Sequence, residues 1–180
     1  VATDTCILHV RGASGWRDLD PPVAIRGGAS SLAWAPHGRW IATGGCGEVR
    51  VWGHPKCDEL MMPLKGHIGA VHCVAWSPDG RLLVSGGEDG VVRVWEPVED
   101  AEAVRISGRR HQTDVAAVAF SDDGALASTV CTFMSFAVWD AATGAQMFAG
   151  SLMSFDWSMV APEWKALVDA TVWWEEPKMF

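Results

Sequence analysis

The chain of 180 residues is short of several features, and each shortage argues against a class of protein. Its five cysteines are an odd number with no Cys-x-x-Cys spacing, so we expect reduced thiols, not a disulfide framework. No apolar run approaches the roughly 18 residues needed to cross a bilayer. With 14 basic and 22 acidic residues, the net charge of −8 argues against the basic face with which nucleic-acid binding begins. We therefore expect neither a nucleic-acid nor a membrane partner.

Signals at the start of the chain are also missing. No secretory signal opens the sequence, and the first residue is Val1 instead of Met. We therefore expect the chain to be processed or to be a piece of a longer one. Together with the reduced cysteines, the missing signal favours a cytoplasmic location, with the nucleus as the other option.

What the sequence does contain is a repeat. The segments "SLAWAPHGRWIATGGCGEVRVW" (31–52), "HCVAWSPDGRLLVSGGEDGVVRVW" (72–95) and "AAVAFSDDGALASTVCTFMSFAVW" (116–139) are copies of one pattern. Aromatic residues recur about 43 positions apart: Trp34, Trp76 and Phe120 early in the copies, and Trp52, Trp95 and Trp139 at their ends. A glycine of the first turn recurs with them: Gly38, Gly80 and Gly124.

Each copy predicts short β-strands that are joined by tight turns. In the central copy, an apolar run through Trp76 ends at "SPDG" (77–80), where proline and glycine suit the backbone of a turn. A second turn, "GGEDG" (86–90), precedes the alternating run Val91 to Trp95. A further β run follows each Val-Trp pair, at Leu60 to Leu64 and Val104 to Ile106. Four strands per copy and no long helical period predict an all-β repeat.

This repeat resembles the WD-repeat (WD40) family of β-propellers. The resemblance covers roughly residues 29–140 and is carried by "GH" (66–67), "SPDG" (77–80), Ser85, "DG" (89–90) and "VWE" (94–96), with a literal Trp139-Asp140 in the third copy. It implies four-stranded antiparallel blades around a central channel. The aromatic side chains Trp34, Trp76 and Phe120 would then be pressed between neighbouring blades.

About four blades' worth of strands can be assigned, which predicts an incomplete propeller. Residues 1–27 would be the last strands of a preceding blade, and 28–64, 65–108 and 109–150 would be blades, of which 65–108 is best preserved. Residues 151–180 would be a degenerate, truncated blade with strands at 152–158, 164–170 and 171–177. Propellers of this family usually close with seven blades. The chain would be a fragment whose other blades lie in a longer chain, an arc completed by another chain or a second copy, or a small closed ring.

The resemblance further implies a structural tetrad in the central blade, formed by His67, Ser85, Asp89 and Trp95. A buried indole N–H needs an acceptor, which the serine would supply. The neighbouring blades keep partial tetrads: Thr43 and Trp52 in the first, and His111, Thr129 and Trp139 in the third. Ile25 or Arg26 stands at the histidine position of the first blade, and Phe133 stands at the aspartate position of the third.

Metal binding and catalysis are the competing interpretations. His54, Cys57, His67, His72 and Cys73 are close in sequence, and His54-x-x-Cys57 suits zinc, but no second pair follows at finger spacing. The serine, histidine and aspartate of the tetrad form a hydrolase set on paper, yet the resemblance buries that hydroxyl under an indole. The glycine-rich segments 46–48 and 86–90 match no phosphate-loop motif. We expect no metal, no cofactor and no enzyme.

The expected function is a protein–protein interaction scaffold or adaptor that binds a protein or peptide. By resemblance, partners contact the loops that enter the first strand of a blade and join its second and third strands. Those loops carry Gly69, Glu88, Arg109, Arg110 and Gln112, with Cys46 and Glu48 in the first blade. Their mixed charges favour a protein partner. The alternatives are a structural subunit of a large assembly and a regulatory propeller domain of a longer multidomain enzyme.

Overall fold

The computed structural model describes residues 5–11, 22–56, 58–97, 104–133, 135–152 and 166–168, with backbone alone at 5, 26 and 104–110. These residues form fourteen β-strands and one helical turn at 166–168. The strands are β1 Thr5–Leu8, β2 Val23–Arg26, β3 Ser31–Trp34, β4 Trp40–Gly44, β5 Cys46–Gly53, β6 Asp58–Glu59, β7 Leu64–Trp76, β8 Leu83–Gly87, β9 Val91–Trp95, β10 Val104–Arg110, β11 Val115–Phe120, β12 Leu126–Cys131, β13 Ser135–Asp140 and β14 Gln146–Ser151.

The strands make three antiparallel sheets. β1 pairs with β2, β11 to β14 pair in chain order, and the largest sheet has the order β10-β9-β8-β7-β5-β4-β3 with β6 beside β5. Almost all neighbouring strands are consecutive in the chain, as short turns between them require. The predicted all-β fold is confirmed.

The largest sheet is two blades that share β7. The first half of this strand pairs with β5, with Leu64 opposite Val49, and the second half pairs with β8, with Val74 opposite Ser85. We call β3 to β5 with the start of β7 the first blade. The rest of β7 with β8 to β10 is the central blade, and β11 to β14 are the third blade. Each has four antiparallel strands, as predicted.

Neighbouring blades approach closely because glycine stands where the next blade presents valine. A Cβ atom on Gly44 would lie 2.8 Å from Val71 Cγ1, and one on Gly86 would lie 2.4 Å from Val115 Cγ1. Both glycines follow the hydroxyl residue of the tetrad position, so the contact repeats from blade to blade. Both valines are fully buried.

The early aromatic residues of the repeat do not all lie between blades. Trp76 is buried, and its indole N–H donates to the carbonyl oxygen of Ala33 in the first blade at 3.3 Å. Trp34 instead is 44% exposed, which corrects the expectation for this residue. The β1–β2 pair packs on Ile41 and Trp52, whereas Trp34 meets the ring of His54 edge-on at 5.5 Å.

The predicted strand at 164–170 is wrong over its described part, because residues 166–168 are helical. Leu167 and Val168 bury their side chains against Val130, Phe136 and Val138 of the third blade. A short apolar run after Pro162 and Glu163 fits a helical turn as well as a strand, so its periodicity could not distinguish them. The other two strands predicted for this region fall almost wholly outside the described residues.

Candidate functional site

Four side chains of the central blade form a continuous hydrogen-bonded chain. Trp95 Nε1–H donates to Ser85 Oγ at 2.8 Å, and Ser85 Oγ lies 2.8 Å from His67 Nε2. His67 Nδ1 lies 2.9 Å from Asp89 Oδ1. Because an indole can only donate and a carboxylate can only accept, Ser85 donates to Nε2, and Nδ1–H donates to Asp89.

Asp89 also holds the segment that enters the blade. Its carboxylate accepts the backbone N–H groups of Ile68 and Val91, each at 3.1 Å. Arg93 donates to Asp89 Oδ2 at 3.0 Å and to the carbonyl oxygen of Gly66 at 2.7 Å. The segment 66–68 is thereby tied to β9 by a charged network.

Arg93 was not predicted as a member of this network. The repeat carries a signal for it, because Arg93 and Arg50 each stand two residues before the last tryptophan of their copies. In the first blade, Arg50 forms ion pairs with Glu48 and with Glu59, the latter at 2.9 Å. The arginine position therefore forms charged contacts in both blades, with Asp89 in the central blade and with Glu48 and Glu59 in the first.

Burial and hydrogen bonding set the protonation of the network. Burial lowers the pKa of His67 and outweighs the nearby Asp89 carboxylate, which raises it. Burial alone would raise the pKa of Asp89, but hydrogen bonds from His67, Ile68 N–H and Val91 N–H hold it below its usual value. A neutral histidine between a hydroxyl and a carboxylate is the resulting state.

The serine, histidine and aspartate are hydrogen-bonded in the order of a hydrolase triad, but the serine is not accessible. Ser85 is fully buried, and its hydroxyl oxygen already accepts the Trp95 indole N–H. A nucleophile needs an open path to a substrate carbonyl, which this packing closes. The geometry suits a structural link between loop and sheet.

The third blade keeps three members of the network and lacks the fourth. Trp139 Nε1–H donates to Thr129 Oγ1 at 2.8 Å, and His111 Nε2 lies 2.8 Å from the same oxygen. Burial lowers the pKa of His111, and no carboxylate is among the causes of the shift. Phe133, six residues before Trp139 as Asp89 is before Trp95, is 79% exposed.

The first blade keeps two members. Trp52 Nε1–H donates to Thr43 Oγ1 at 2.9 Å, and both residues are buried. Ile25 is buried and packs with Ile41 and Trp52, so an apolar contact covers this end of the blade. The side chain of Arg26 lies outside the described residues.

The predicted partner-binding residues share one end of the blades, which we call the loop face. It comprises segment 66–70, turn 87–90, segment 111–114 and the turn residues 132–133. Glu88 lies in its turn and accepts the N–H of Ala70 at 3.0 Å, and Gln112 is exposed. Gly69 falls within β7, and Arg109 and Arg110 end β10, because backbone pairing continues further than the loops we expected. The side chains of the two arginines lie outside the described residues.

Two exposed apolar side chains on the loop face were missed by the sequence analysis. Ile68 is 73% exposed, and Phe133 is 79% exposed. The break in the repeat at Phe133 was visible in the sequence, but it was interpreted only as a lost hydrogen bond. Whether an apolar side chain is exposed depends on how the turns are arranged in space. The spacing of residues in the repeat does not predict that arrangement.

The metal candidates are not brought together in the described part of the chain. His67 is engaged with Ser85 and Asp89, Cys73 lies buried in β7, and Cys57 is outside the described residues. No group of three His, Cys, Asp or Glu side chains with metal-binding geometry occurs among the residues described. In the same residues, no helix has the length and apolar character required to cross a membrane.

Four-stranded antiparallel blades packed face to face are typical of a β-propeller. The described strands form part of such a propeller. A family model described as "WD domain, G-beta repeat" (WD40) matches residues 25–53 and 58–96. Over these residues the predicted resemblance to the WD-repeat family is confirmed.

Solved structures agree with this fold. The crystal structure of the computationally designed Ika8 protein superposes with a TM-score of 0.68 and 22% identity, over 79% of this chain and 42% of the other. The crystal structure of the mitotic checkpoint complex gives 0.71 and 24%, over 82% and 47%. These similarities show the fold, and this chain spans less than half the length of either matched chain. No curated protein sequence matches the chain significantly.

Proposed function

We propose that this chain is a non-catalytic protein-interaction module that binds a protein or peptide partner on the loop face. WD40 repeats provide rigid blades that hold loops in fixed positions, and function on such a fold lies in the surfaces it presents. The observation that carries the proposal is the exposure of Phe133 where the equivalent residue of the central blade completes a hydrogen-bonded network.

Phenylalanine in place of aspartate at position 133 has two unfavourable consequences for the third blade. The third blade leaves His111 without the carboxylate that its counterpart has in the central blade. It also exposes a phenyl ring whose burial is worth about 1.5–3 kcal/mol. Aromatic side chains that become buried on binding supply much of the energy of protein interfaces. A partner that buries the Phe133 ring would regain this free energy on binding.

Ile68 provides a second apolar contact on the same face. Its backbone N–H is bound by Asp89, and it precedes Gly69 in the segment that enters the central blade. Because the network already orders this segment, a partner can bury Ile68 at a small cost in entropy. Glu88 and Gln112 add polar groups near the apolar residues. A protein surface with a small apolar pocket and polar margins would complement this set.

The remaining parts of the proposal rest on charge and burial. The fully buried Ser85 supports a module without hydrolase activity of its own. A net charge of −8 supports a protein partner over a nucleic acid. We place the protein in the cytoplasm or nucleus on account of its cysteines.

Photo-crosslinking tests the loop face directly. Benzoylphenylalanine would be introduced at position 133 and, as a control, at Met62, which is equally exposed at 78% but lies between β6 and β7. After irradiation in extract, mass spectrometry would identify the proteins attached at each position. We expect a protein that is attached from position 133 and absent from position 62.

The same extract provides a second comparison. Phe133→Ser and Ile68→Ser should reduce recovery of the attached protein, and Met62→Ser should not. If all three variants retain the protein equally, or if position 62 captures it as well as position 133, the loop face is not the binding surface.

A further inference from the structure

A cleft of about 550 Å³ lies between the first and central blades, at the end opposite the loop face. Connections between antiparallel strands alternate between the two ends of a sheet. The β3–β4 turn contributes His37 and Arg39 to the cleft, and the β7–β8 turn contributes Asp79 and Arg81. The β8–β9 turn, which belongs to the loop face, is therefore at the other end of the central blade. We call this site the turn cleft.

The turn cleft is formed by equivalent positions of two adjacent repeats. Arg39 and Arg81 each follow the glycine of the first turn in their copies. The two turns are in close contact, since a Cβ atom on Gly80 would lie 2.9 Å from His37 Cδ2. The third copy has Ala125 at the arginine position, so this pairing of arginines is specific to the first two blades.

The lining of the turn cleft differs in charge from the molecule as a whole. The lining contains the guanidinium groups of Arg39 and Arg81, two imidazoles and a single carboxylate, that of Asp79. That carboxylate already accepts the Ser77 hydroxyl at 2.5 Å and the Arg81 N–H at 3.0 Å. The Arg81 side chain is 73% exposed, and its guanidinium lies 3.9 Å from the Glu96 carboxylate. In a chain with a charge of −8, such a site favours an anionic ligand.

One wall of the turn cleft is apolar and rigid. Trp40 meets the His37 ring edge-on at 4.9 Å and the ring of Trp76 at 5.8 Å. Leu60 continues this wall. A bare anion would use only the arginines, whereas a peptide with acidic and apolar side chains would use both the arginines and the wall. The volume suits a few residues of such a peptide.

We propose that the turn cleft binds a short acidic peptide segment of a protein partner. Its carboxylates would pair with Arg39 and Arg81, and an apolar side chain would pack on Trp40 and Leu60. Guanidinium groups hold carboxylates by paired hydrogen bonds, which gives this class of ligand its specificity. The turn cleft is separate from the loop face, so this proposal does not depend on the role proposed for Phe133.

Fluorescence anisotropy with a fluorescein-labelled peptide of glutamate and leucine tests the proposal. We expect saturable binding at low salt that weakens at high salt. Arg39→Glu and Arg81→Glu should each raise the dissociation constant by about tenfold or more. Lys65→Glu makes the same charge change at an exposed position of β7 outside the cleft. It should change the dissociation constant by less than about threefold. Circular dichroism would verify that each variant is folded.

Four results would overturn the proposal. The first is binding that weakens as much with Lys65→Glu as with Arg81→Glu, which would show an effect of overall charge alone. The second is a lysine–leucine peptide that binds as tightly as the acidic one. The third is inorganic phosphate that displaces the peptide at equal concentration, which would indicate a site for small anions. The last is an absence of saturable binding in the folded wild-type chain.

Discussion

Among single residues, Asp89 makes the contacts on which the entry into the central blade depends. Replacing it with alanine would leave the buried His67 Nδ1–H without its acceptor and would free the Ile68 and Val91 N–H groups. We expect Asp89→Ala to lower the free energy of unfolding by about 1–3 kcal/mol. Urea denaturation would measure it.

Asp122→Ala serves as the control for that experiment, because Asp122 is an exposed residue of the turn between β11 and β12. Surface substitutions of this kind usually change stability by less than about 0.5 kcal/mol. A loss for Asp89→Ala that is no larger than the loss for Asp122→Ala would contradict the proposed role of the network.

The cysteines differ enough in environment to be distinguished by alkylation. Burial raises the pKa of Cys73 to about 12, and its thiol lies between β8 and β11. Cys46 is exposed at the start of β5. Since the thiolate is the reactive form, iodoacetamide should modify Cys46 in the native protein and Cys73 only after unfolding. Peptide mapping would show the order, and equal native reactivity would contradict the burial of Cys73.

At the scale of elements, the contact between blades depends on glycine. A methyl group on Gly86 would collide with Val115 Cγ1 in the third blade. We expect Gly86→Ala to cost about 1–3 kcal/mol, as overpacking of a core does. In a Val115→Gly background the same substitution should cost much less, because both colliding atoms of Val115, Cγ1 at 2.4 Å and Cβ at 2.7 Å, are gone. Denaturation of the two single variants and the double variant would measure the coupling, and simple additivity would contradict the contact.

The third blade permits the opposite experiment, in which the missing network is restored. Phe133→Asp with Met134→Gly copies the turn at Asp89 and Gly90, where glycine has the positive φ of 68° that suits it. A carboxylate there could accept the Nδ1–H of His111. We expect the pair of substitutions to raise the free energy of unfolding by about 1 kcal/mol. Met134→Gly alone is the control, and no gain over it would contradict the design.

Most strands and turns could be predicted from the sequence because most turns of the repeat contain glycine, with proline or aspartate beside it in several. The tetrad could be predicted only by resemblance, since Ser85 and Asp89 are unremarkable polar residues without it. The helical turn at Leu167 could not, because its apolar run is too short to show a period. The turn cleft could not either. It depends on how the turns of two blades meet, which no single copy of the repeat specifies.

For the whole molecule, buried neutral histidines predict a dependence of stability on pH. Burial lowers the pKa of both His67 and His111, with Asp89 and Arg93 facing the former. As the pH falls from about 7 to about 5, these two histidines become protonated in the unfolded chain before they do in the native state. The free energy of unfolding should therefore fall, by at most about 1.4 kcal/mol per pH unit for each histidine. Asp89 adds a loss only at still lower pH.

Urea denaturation at several pH values would measure this slope. His111→Gln removes one of the two groups and should make the dependence shallower. A stability that is unchanged from pH 7 to pH 5, or a slope that the substitution leaves the same, would contradict the burial of these side chains in neutral form.

The two ends of the blades offer different chemistry to partners. The loop face presents Ile68 and Phe133, and the turn cleft presents Arg39 and Arg81 beside Trp40. A propeller with an apolar face and a basic cleft could hold two segments of one partner or two partners at once. Binding of the acidic peptide should therefore be unaffected by Phe133→Ser.

The most direct test of the account is the recovery of partner by the Phe133→Asp, Met134→Gly protein. A benzoylphenylalanine at position 68 would report the partner in both this protein and the wild type. We predict that the variant is more stable and yet attaches far less partner, because it has exchanged an exposed contact for an internal one. A variant that is equally stable or more stable and attaches as much partner as the wild type would contradict the account.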